Sequence, residues 1–367
     1  MSAPARRPLV LPDFPWDSLA GPRARALSHP DGIVDLSVGT PVDEVAPIVR
    51  QALCAAAAVP GYPTTHGTPE LRAAVVAAMG RRYGIGAVDP TAVLPTIGSK
   101  ELIASLPSLL GVAAGDLVVV PELAYPTYEV AARLAGADVI RTDGLTALGP
   151  RTPAVIFVNS PANPTGRVLG VDHLRKVVAY ARERGSIVVS DECYLGLVWT
   201  GAAHSILHPE VCDGDPTGLL AVHSLSKTSN LASYRAGFVA GDPALVAELL
   251  GVRKHAGLMV PYPVQAAMIA ALTDDEHERQ QRDRYRDRRE VLLTALRGAG
   301  FTVEHSEAGL YLWATRGEPA RATVDRLAEL GILVAPGDFY GPAGSAHVRV
   351  GLTAPDERIA AAAIRLR

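Results

Sequence analysis

A single lysine, Lys227, stands in the Ser-rich stretch VHSLSKTSNLASYRAGFVAGD (222–242), just after an apolar run. The chain uses arginine for nearly all of its cations and has only four lysines. Arginine stays protonated at any biological pH, whereas a desolvated lysine can lose its proton and act as a nucleophile. Lys227 could therefore form an imine with a carbonyl compound. A solvated loop residue is the alternative interpretation.

Three polar residues follow two other apolar runs. Asp191 comes directly after SIVVS, where a carboxylate could pair with a protonated pyridine nitrogen; a helix N-cap is the alternative. Asn163 lies in the turn NSPANPTG, and the flanking prolines could hold its amide against a ring oxygen. Tyr194 could share that oxygen. A plain turn without a ligand is the alternative for Asn163.

A further group of residues could bind a phosphate. Ser99 and Lys100 open a helix in the turn IGSKEL, and the free N–H groups of a helix N-terminus bind phosphate. Ser224, Ser226 and Arg235 could add hydroxyls and a guanidinium. Helix capping by Ser99 and a surface ion pair of Arg235 are the alternatives.

Other kinds of site are disfavoured by the sequence. The stretch YGIGAVD does not match GxGxxG, and no GxxxxGK[ST] motif occurs. His204 and His208 lie four residues apart without an HExxH context, which favours surface or core histidines over a metal site. The formal net charge is -3, and the charged segments mix both signs, so we expect no nucleic-acid partner.

Cysteine content and hydropathy suggest a location. Three scattered cysteines are too few for a disulfide framework or a zinc cluster, and they are typical of the reducing cytoplasm. Prolines interrupt the apolar part of the N-terminus, which therefore makes a poor signal peptide. No run reaches the roughly 18 apolar residues of a membrane span. We expect a cytoplasmic protein with no membrane partner.

The chain alternates apolar strands and helices. Four strand-like runs are bounded by turn residues, and helical patterns such as VDHLRKVVAYARERG (171–185) follow them. The runs are DLVVVPE (116–122), AVIFVNS (154–160), SIVVSDE (186–192) and LLAVHS (219–224). This pattern predicts an α/β fold with a mostly parallel, doubly wound sheet, whose ligands bind beyond the carboxyl ends of the strands.

The length of 367 residues and a change of pattern predict a second, smaller unit. After Pro263 the sequence predicts one long helix, roughly 264–298, and then alternating strands in FTVEHSEAGLYLWAT (301–315). We predict a large domain over 46–263. A smaller α+β domain would combine 264–367 with an N-terminal arm, residues 1–45.

Together these motifs resemble the class I pyridoxal-phosphate aminotransferases of fold type I, from about Leu11 to the end of the chain. The matching motifs occur in the family's order: YPTTHGTPELR, the phosphate turn, NPTG, DxxY, SxSKxxxxxxxR and HVRVGL. The resemblance implies that Lys227 holds pyridoxal 5'-phosphate covalently and moves the proton at the substrate α-carbon.

The resemblance implies roles for the other matching residues. Asp191 would pair with the ring nitrogen, Asn163 and Tyr194 with the 3′ oxygen, and Tyr125 would stack on the ring. The phosphate would be bound by Ser99, Lys100 through its backbone, Ser224 and Arg235. The substrate would be bound by Arg349 at its α-carboxylate, by Asn163, and by Gly39, which lets the backbone approach. Tyr62 would reach the phosphate of the neighbouring subunit, which implies a homodimer with shared sites.

A closer resemblance is to the N-succinyldiaminopimelate aminotransferases of actinobacterial type, which share the wording LPDFPWDSL, DGIVDLSVGTPVD and VLPTIGSKELIASLP. Ser233 replaces a glycine common in the family. The implied reaction moves an amino group from L-glutamate to N-succinyl-2-amino-6-oxopimelate, towards diaminopimelate and lysine. The stretches RKH (253–255) and FPWDSL (14–19) are candidates for binding the distal arm of this substrate, and an ordinary basic helix end is the alternative for RKH.

Three rival functions remain open at this point. Another class I aminotransferase would use the same residues on a different 2-oxo acid. A C–S lyase would use the same cofactor for β-elimination. A non-catalytic regulator domain would require a basic winged-helix module in front of the fold, and only a short segment stands there.

Overall fold

The structure is a computed structural model that describes residues 11–86 and 88–367. The strands in these ranges are β1 Val34–Asp35, β2 Val93–Ile97, β3 Leu117–Val120, β4 Asp138–Arg141, β5 Val155–Asn159, β6 Ile187–Asp191, β7 Leu219–Ser224, β8 Ala236–Gly241, β9 Thr302–Glu304, β10 Tyr311–Thr315, β11 Ile332–Leu333, β12 Ala335–Pro336 and β13 His347–Gly351. The helices are α1 Ala20–Leu27, α2 Pro47–Ala55, α3 Pro69–Tyr83, α4 Ser99–Leu109, α5 Thr127–Ala135, α6 Val171–Arg184, α7 Pro209–Cys212, α8 Leu225–Thr228, α9 Pro243–Ala256, α10 Tyr262–Thr273, α11 Glu276–Gly298, α12 Ala320–Glu329 and α13 Asp356–Arg365.

The largest sheet has seven strands in the order β2-β8-β7-β6-β5-β3-β4. Strands β4, β3, β5, β6 and β7 are parallel, and β8 runs antiparallel to both β7 and β2. The predicted mostly parallel sheet is confirmed, and its four apolar runs are β3, β5, β6 and β7. The chain adds β4 on one side of β3 and β5 on the other, so the strand order reverses at β3.

Both faces of this sheet are buried, which explains its continuous apolar strands. Successive side chains on a strand point to opposite faces. Val118 and Val120 therefore pack in one core cluster with Leu102 of α4, whereas Val119 packs on the other face with Leu174 of α6. Helices cover the two faces, and the edge formed by the carboxyl ends of the strands stays open to a ligand.

A second sheet, of four strands in the order β12-β13-β10-β9, packs with α11, α12 and α13 around a separate core. Its large buried side chains include Trp313, Tyr340 and Tyr285. The N-terminal segment joins this unit, because β1 pairs in parallel with β11 and α1 packs against α12. The exact division into 46–263 and 1–45 plus 264–367 stays a prediction.

The prediction of one long helix over 264–298 is wrong, because the chain forms α10 and α11 with a break at Asp274 and Asp275. The carboxylate of Asp275 accepts hydrogen bonds from Arg81 and Arg82 of α3, at 2.6 and 2.7 Å. Helix α10 packs against α2 and α3, whereas α11 packs against α13. The sequence changes at this break from an apolar segment to a mostly charged one, a signal that the prediction of a single helix overlooked.

A buried ion pair fixes α11 to the segment before α2. Arg288 donates to both carboxylate oxygens of Asp43, at 2.7 and 2.8 Å, and to Asp356 at 2.6 Å. The side chains of Arg288 and Asp43 are 4% and 11% exposed, whereas Asp356 is 72% exposed. Burial raises the pKa of Asp43, but hydrogen bonds from Arg288 and Gln281 outweigh it, so the net pKa is lowered.

Asp43→Asn should lower the free energy of unfolding at pH 7 by about 1.5 to 3 kcal/mol, the range for a hydrogen bond to a charged group. Because the pKa of Asp43 is lower in the folded state, its contribution is present above its ordinary value of 3.8 and is lost as the pH falls through the folded value. Denaturant unfolding measures both effects. Asp356→Asn removes the exposed partner of the same arginine and should cost at most about 1 kcal/mol; equal losses would contradict the prediction.

Candidate active site

The ends of β5, β6 and β7 place three of the polar turns side by side. Asn159 at the end of β5 lies opposite Asp191 at the end of β6, and Asp191 lies opposite Val222 of β7. A cavity opens at this edge. The predicted residues that line it are Gly39, Ser99, Lys100, Tyr125, Asn163, Asp191, Tyr194, Ser224, Ser226, Lys227, Arg235 and Arg349. Apart from Tyr62, the structure therefore brings together all the residues predicted to bind the cofactor and the α-carboxylate.

Lys227 lies on α8, a single helical turn that begins directly after β7. The Ser224 hydroxyl caps this turn by accepting the backbone N–H of Ser226 at 3.1 Å. The amine of Lys227 points into the cavity and donates to the carbonyl oxygen of Gly39. Burial lowers the pKa of Lys227, although the neighbouring Tyr311 opposes this effect. Burial thus favours the neutral amine that a nucleophile or a base requires.

Asp191 is a buried carboxylate with neutral hydrogen-bond donors. The Tyr128 hydroxyl donates to its Oδ2 at 2.6 Å, and the backbone N–H of Cys193 donates to its Oδ1 at 3.2 Å. Burial raises its pKa. Among the described residues no helix begins at Asp191, so the capping interpretation fails there. A protonated ring nitrogen would supply the positive charge that this carboxylate lacks.

The N-terminus of α4 lies beside Arg235 at the wall of the cavity. Helix α4 has no side-chain cap, so the N–H groups of its first turn face the cavity without a side-chain partner. The Arg235 guanidinium packs against Gly98, where any side chain would overlap it. Arg235 itself has a φ of 55°, an unusual backbone conformation for a residue with a side chain. This arrangement fits a phosphate group.

Arg349 is a buried guanidinium at the opposite end of the cavity. It donates to the Asn163 amide oxygen at 3.0 Å and to the Ser37 carbonyl oxygen at 2.8 Å, and its Nε has no partner. Within the described ranges no acidic side chain forms an ion pair with it. A substrate carboxylate would provide both the missing negative charge and the missing acceptor.

Sequence reasoning missed two aromatic residues of the cavity wall, Tyr128 and Tyr311, and named a third, Trp16, only within a longer stretch. Tyr128 donates a hydrogen bond to Asp191, and its position three residues after the predicted Tyr125 could have identified it. Trp16 belongs to the FPWDSL stretch and lines the cavity. Tyr311 covers the face of Arg349, and its signal was the alternation in AGLYLW, which places it on the same strand face as Trp313.

Several other predicted residues lie elsewhere. Tyr62 is 91% exposed and does not line the cavity of its own chain. The hypothesis that Arg253 contacts substrate is wrong, because Arg253 is fully buried and donates two hydrogen bonds to the Glu101 carboxylate, at 3.0 and 3.2 Å. Lys254 and His255 are exposed at the end of α9, as the alternative of a basic helix end describes.

His204 and His208 do come together, and with Glu210 they place potential metal ligands within 4.8 Å of one another. The Nδ1 atom of His208 already accepts the backbone N–H of Glu210 at 3.2 Å and caps the short helix α7. The Nδ1 lone pair of His208 therefore already accepts a hydrogen bond. This favours a structural role for these histidines over metal binding. In the part of the chain that the structure describes, no helix is long and apolar enough to cross a membrane.

Comparisons with known proteins show the family of this chain. The family described as aminotransferase class I and II matches residues 31–366. The chain is 69% identical to the probable aminotransferase Rv1178 of Mycobacterium tuberculosis, over 100% of this chain and 88% of that protein. It is 59% identical to the 4-dedimethylamino-4-oxo-anhydrotetracycline transaminase OxyQ of Streptomyces rimosus, over 97% and 99% of the two chains.

A solved structure is also similar. The probable N-succinyldiaminopimelate aminotransferase of Thermus thermophilus superposes with a TM-score of 0.85 at 31% identity, covering 95% of this chain and 97% of that one. The fold and the site define a pyridoxal-phosphate-dependent aminotransferase of fold type I. The chain belongs to the class I and II aminotransferase family.

Gly98→Ala should weaken the binding of pyridoxal phosphate by about 10-fold or more. The added methyl group would displace the Arg235 guanidinium from the N-terminus of α4, and one lost charged hydrogen bond has this magnitude. Fluorescence titration of the cofactor-free protein measures the affinity.

Gly111→Ala is the matched control. Gly111 has a φ of 76°, close to the 78° of Gly98, but nothing lies within 4 Å of the position of its Cβ. Both variants therefore place a methyl group at a residue with positive φ, but only in Gly98→Ala does that methyl group meet Arg235. If both variants lose the same cofactor affinity, the loss comes from strain and the phosphate role of Arg235 is not supported.

Proposed function

We propose that this enzyme transfers an amino group from L-glutamate to N-succinyl-2-amino-6-oxopimelate. The observation that carries the proposal is a pair of cations without acidic partners among the described residues: Arg349 inside the cavity and Lys100 at its edge. Glutamate and the succinylated oxo acid each have a carboxylate beside the reacting carbon and further carboxylates along the chain. Two cations without acidic partners suit such acidic, elongated substrates.

Lys100 supports the binding of the distal arm. Its side chain lines the cavity and is exposed, and its amine lies 5.6 Å from the ring centre of Phe14 and 5.5 Å from that of Tyr125. The aromatic faces hold the amine at the edge of the cavity. Lys100 thus adds a role to the one that the resemblance implies for its backbone, and it replaces the buried Arg253 as the candidate for this contact. Trp16 and Phe14 place the FPWDSL stretch along the same wall.

The chain's own residues divide the work of the reaction. Pyridoxal phosphate supplies an electron sink for the electrons of the substrate α-carbon. Asp191 provides a fixed negative charge for the ring nitrogen, and Asn163 and Tyr194 provide hydrogen bonds for the 3′ oxygen. Arg349 binds the α-carboxylate and orients the α-carbon. The neutral amine of Lys227 then removes the α-proton.

The proposal includes a homodimer in the cytoplasm. Tyr62 supports the dimer, because a tyrosine that is 91% exposed in one chain is available to a neighbouring subunit. Exposed apolar side chains lie on the same stretch of sequence, among them Val42, Ile48 and Val59. Singly exposed apolar residues are common, but several near Tyr62 favour a contact surface.

A second candidate is transamination of a bulky cyclic ketone. The name of the Streptomyces rimosus relative specifies a 4-oxo-anhydrotetracycline, and that relative is 59% identical to this chain, compared with 31% for the succinyldiaminopimelate structure. The aromatic side chains of Trp16 and Phe14 at the cavity edge could contact fused rings. A C–S lyase would share all the cofactor contacts and differs only in its products.

A substrate panel tests the proposed function. With glutamate as the donor, the succinylated oxo acid should give the highest kcat/KM in a set that includes pyruvate, oxaloacetate and an aromatic polycyclic ketone. Lys100→Met should lower kcat/KM for the succinylated substrate by about 10-fold, the scale of one charged hydrogen bond, and should affect pyruvate little.

Lys176→Met is the control for Lys100→Met, because Lys176 is also an exposed lysine but does not line the cavity. Equal effects of the two substitutions would remove Lys100 from the specificity site. A preference for the polycyclic ketone would replace the substrate assignment with the second candidate. Release of pyruvate and ammonia from cysteine conjugates, without transamination, would indicate the lyase.

Hybrid dimers test the shared site. Tyr62→Ala and Lys227→Ala should each be nearly inactive, and their mixture should regain activity, because one site of each hybrid dimer then has both residues intact. Native mass spectrometry verifies subunit exchange, and activity of the mixture is the readout. No recovery in verified hybrids would show that Tyr62 does not act across subunits.

A further inference from the structure

Tyr311 is a buried residue of the cavity wall to which the roles above assign nothing. Strands β10 and β13 are antiparallel, and Trp313 lies directly opposite Arg349. Tyr311, two residues earlier, shares that face of the sheet. Gly351 lies opposite Tyr311 and has no side chain, so the guanidinium of Arg349 can cover the tyrosine ring. The Cζ of Arg349 lies 3.8 Å from the ring centre.

The hydroxyl of Tyr311 lies beside other residues of the site. It lies 3.4 Å from the Tyr194 hydroxyl. It also packs against Gly39, where any side chain would overlap it, and the carbonyl oxygen of Gly39 accepts a hydrogen bond from Lys227. The ring of Tyr311 thus contacts the carboxylate-binding arginine, while its hydroxyl lies close to the residues that would handle the proton.

Tyr311, Arg349 and Lys227 also shift one another's pKa. Burial raises the pKa of Tyr311, but the positive charges of Arg349 and Lys227 outweigh it and the net pKa is lowered. Conversely, Tyr311 opposes the fall in the pKa of Lys227 that burial causes. A phenylalanine could fill the same space, but it could not interact with Lys227 in this way.

We propose that Tyr311 is a positioning residue with two separable parts. Its ring holds the guanidinium of Arg349 in the plane that faces the substrate carboxylate. Its hydroxyl holds in place the phenol of Tyr194 and the backbone of Gly39, whose carbonyl oxygen accepts a hydrogen bond from the Lys227 amine beside the reacting carbon. This inference rests on the proposed function, in which Arg349 binds the α-carboxylate and Lys227 moves the proton.

Two substitutions separate the parts, and a third serves as a control. Tyr311→Phe keeps the ring and removes the hydroxyl. Tyr311→Met keeps an apolar side chain but removes the aromatic face as well. Tyr285→Phe is the control, because Tyr285 is fully buried in the same core cluster but does not line the cavity.

The first measurement is the binding of 2-oxoglutarate to cofactor-free protein by calorimetry, together with KM for glutamate in the loaded enzyme. Tyr311→Phe should bind within about twofold of the wild type, because the face under Arg349 remains. Tyr311→Met should bind about 10-fold more weakly, the scale of one desolvated cation–π contact. Unchanged binding by Tyr311→Met would overturn the part assigned to the ring, as would a 10-fold loss in Tyr311→Phe.

The second measurement is the rate at which an amine-acylating reagent modifies Lys227 in cofactor-free protein, followed against pH by mass spectrometry. Without the hydroxyl, burial of Lys227 is opposed only by Cys193, so the pKa of Lys227 should fall further and the amine should become reactive at lower pH. Tyr311→Phe should shift the profile to lower pH, and Tyr285→Phe should leave it in place. Identical profiles for these two variants would overturn the part assigned to the hydroxyl.

Failure of the proposed function would look different. If the wild-type enzyme transaminates no member of the substrate panel, the proposed function is wrong, yet both measurements on cofactor-free protein still report on Tyr311. Near-UV circular dichroism verifies folding of each variant. If Tyr311→Met does not fold, Tyr311→Phe decides both parts, since it must retain carboxylate binding and must shift the Lys227 profile.

Discussion

The buried guanidinium of Arg349 is the constraint around which the smaller unit is arranged. Burying a cation without an acidic partner costs several kcal/mol, and the protein offsets this cost only with neutral oxygens and aromatic faces. Tyr311, Tyr340 and Trp16 lie around the guanidinium with ring centres 3.8, 5.1 and 5.9 Å from its Cζ. An acidic side chain would stabilise Arg349 better, but it would also compete with the substrate carboxylate. The arrangement gives up stability in the free enzyme and retains affinity for an anion.

Two parts of the cavity, around Arg235 and around Lys227, depend on glycines at positions where no side chain would fit. Gly98 allows Arg235 to approach the N-terminus of α4, and Gly39 leaves room for the Tyr311 hydroxyl beside Lys227. Each glycine belongs to a segment outside the central parallel strands. The parallel strands fix Asn163, Asp191 and Lys227 relative to one another, and these segments then close the site around them. The strands therefore set the relative positions of the site residues, whereas the glycines make room for the side chains that close the cavity.

Much of this arrangement follows from sequence because parallel strands have a direction. Once LLAVHS and SIVVS are recognised as buried strands, their polar continuations must meet at one edge, and Lys227 and Asp191 must be neighbours. Contacts between segments distant in the chain are not determined in this way. The salt bridge from Arg253 to Glu101 spans 152 residues and depends on how α9 packs beside α4. Similarly, the break between α10 and α11 depends on Arg81 and Arg82 of α3, and Tyr311 acquires its place from the register of β10 with β13.

Sequence identity to relatives says little about which substrate this chain uses. Residues that hold pyridoxal phosphate and the α-carboxylate of glutamate serve every aminotransferase that uses this donor, so most of the cavity is common to relatives with different acceptors. An identity of 59% to one transaminase and 31% to another therefore measures mainly shared scaffold and shared chemistry. Discrimination falls to the few side chains at the cavity edge. Of these, Lys100 favours an anionic arm, whereas Phe14 and Trp16 favour either a flexible aliphatic chain or flat rings. Under the proposed function, the charge on Lys100 would match an acidic arm, because a neutral ring system would offer that cation no anionic partner.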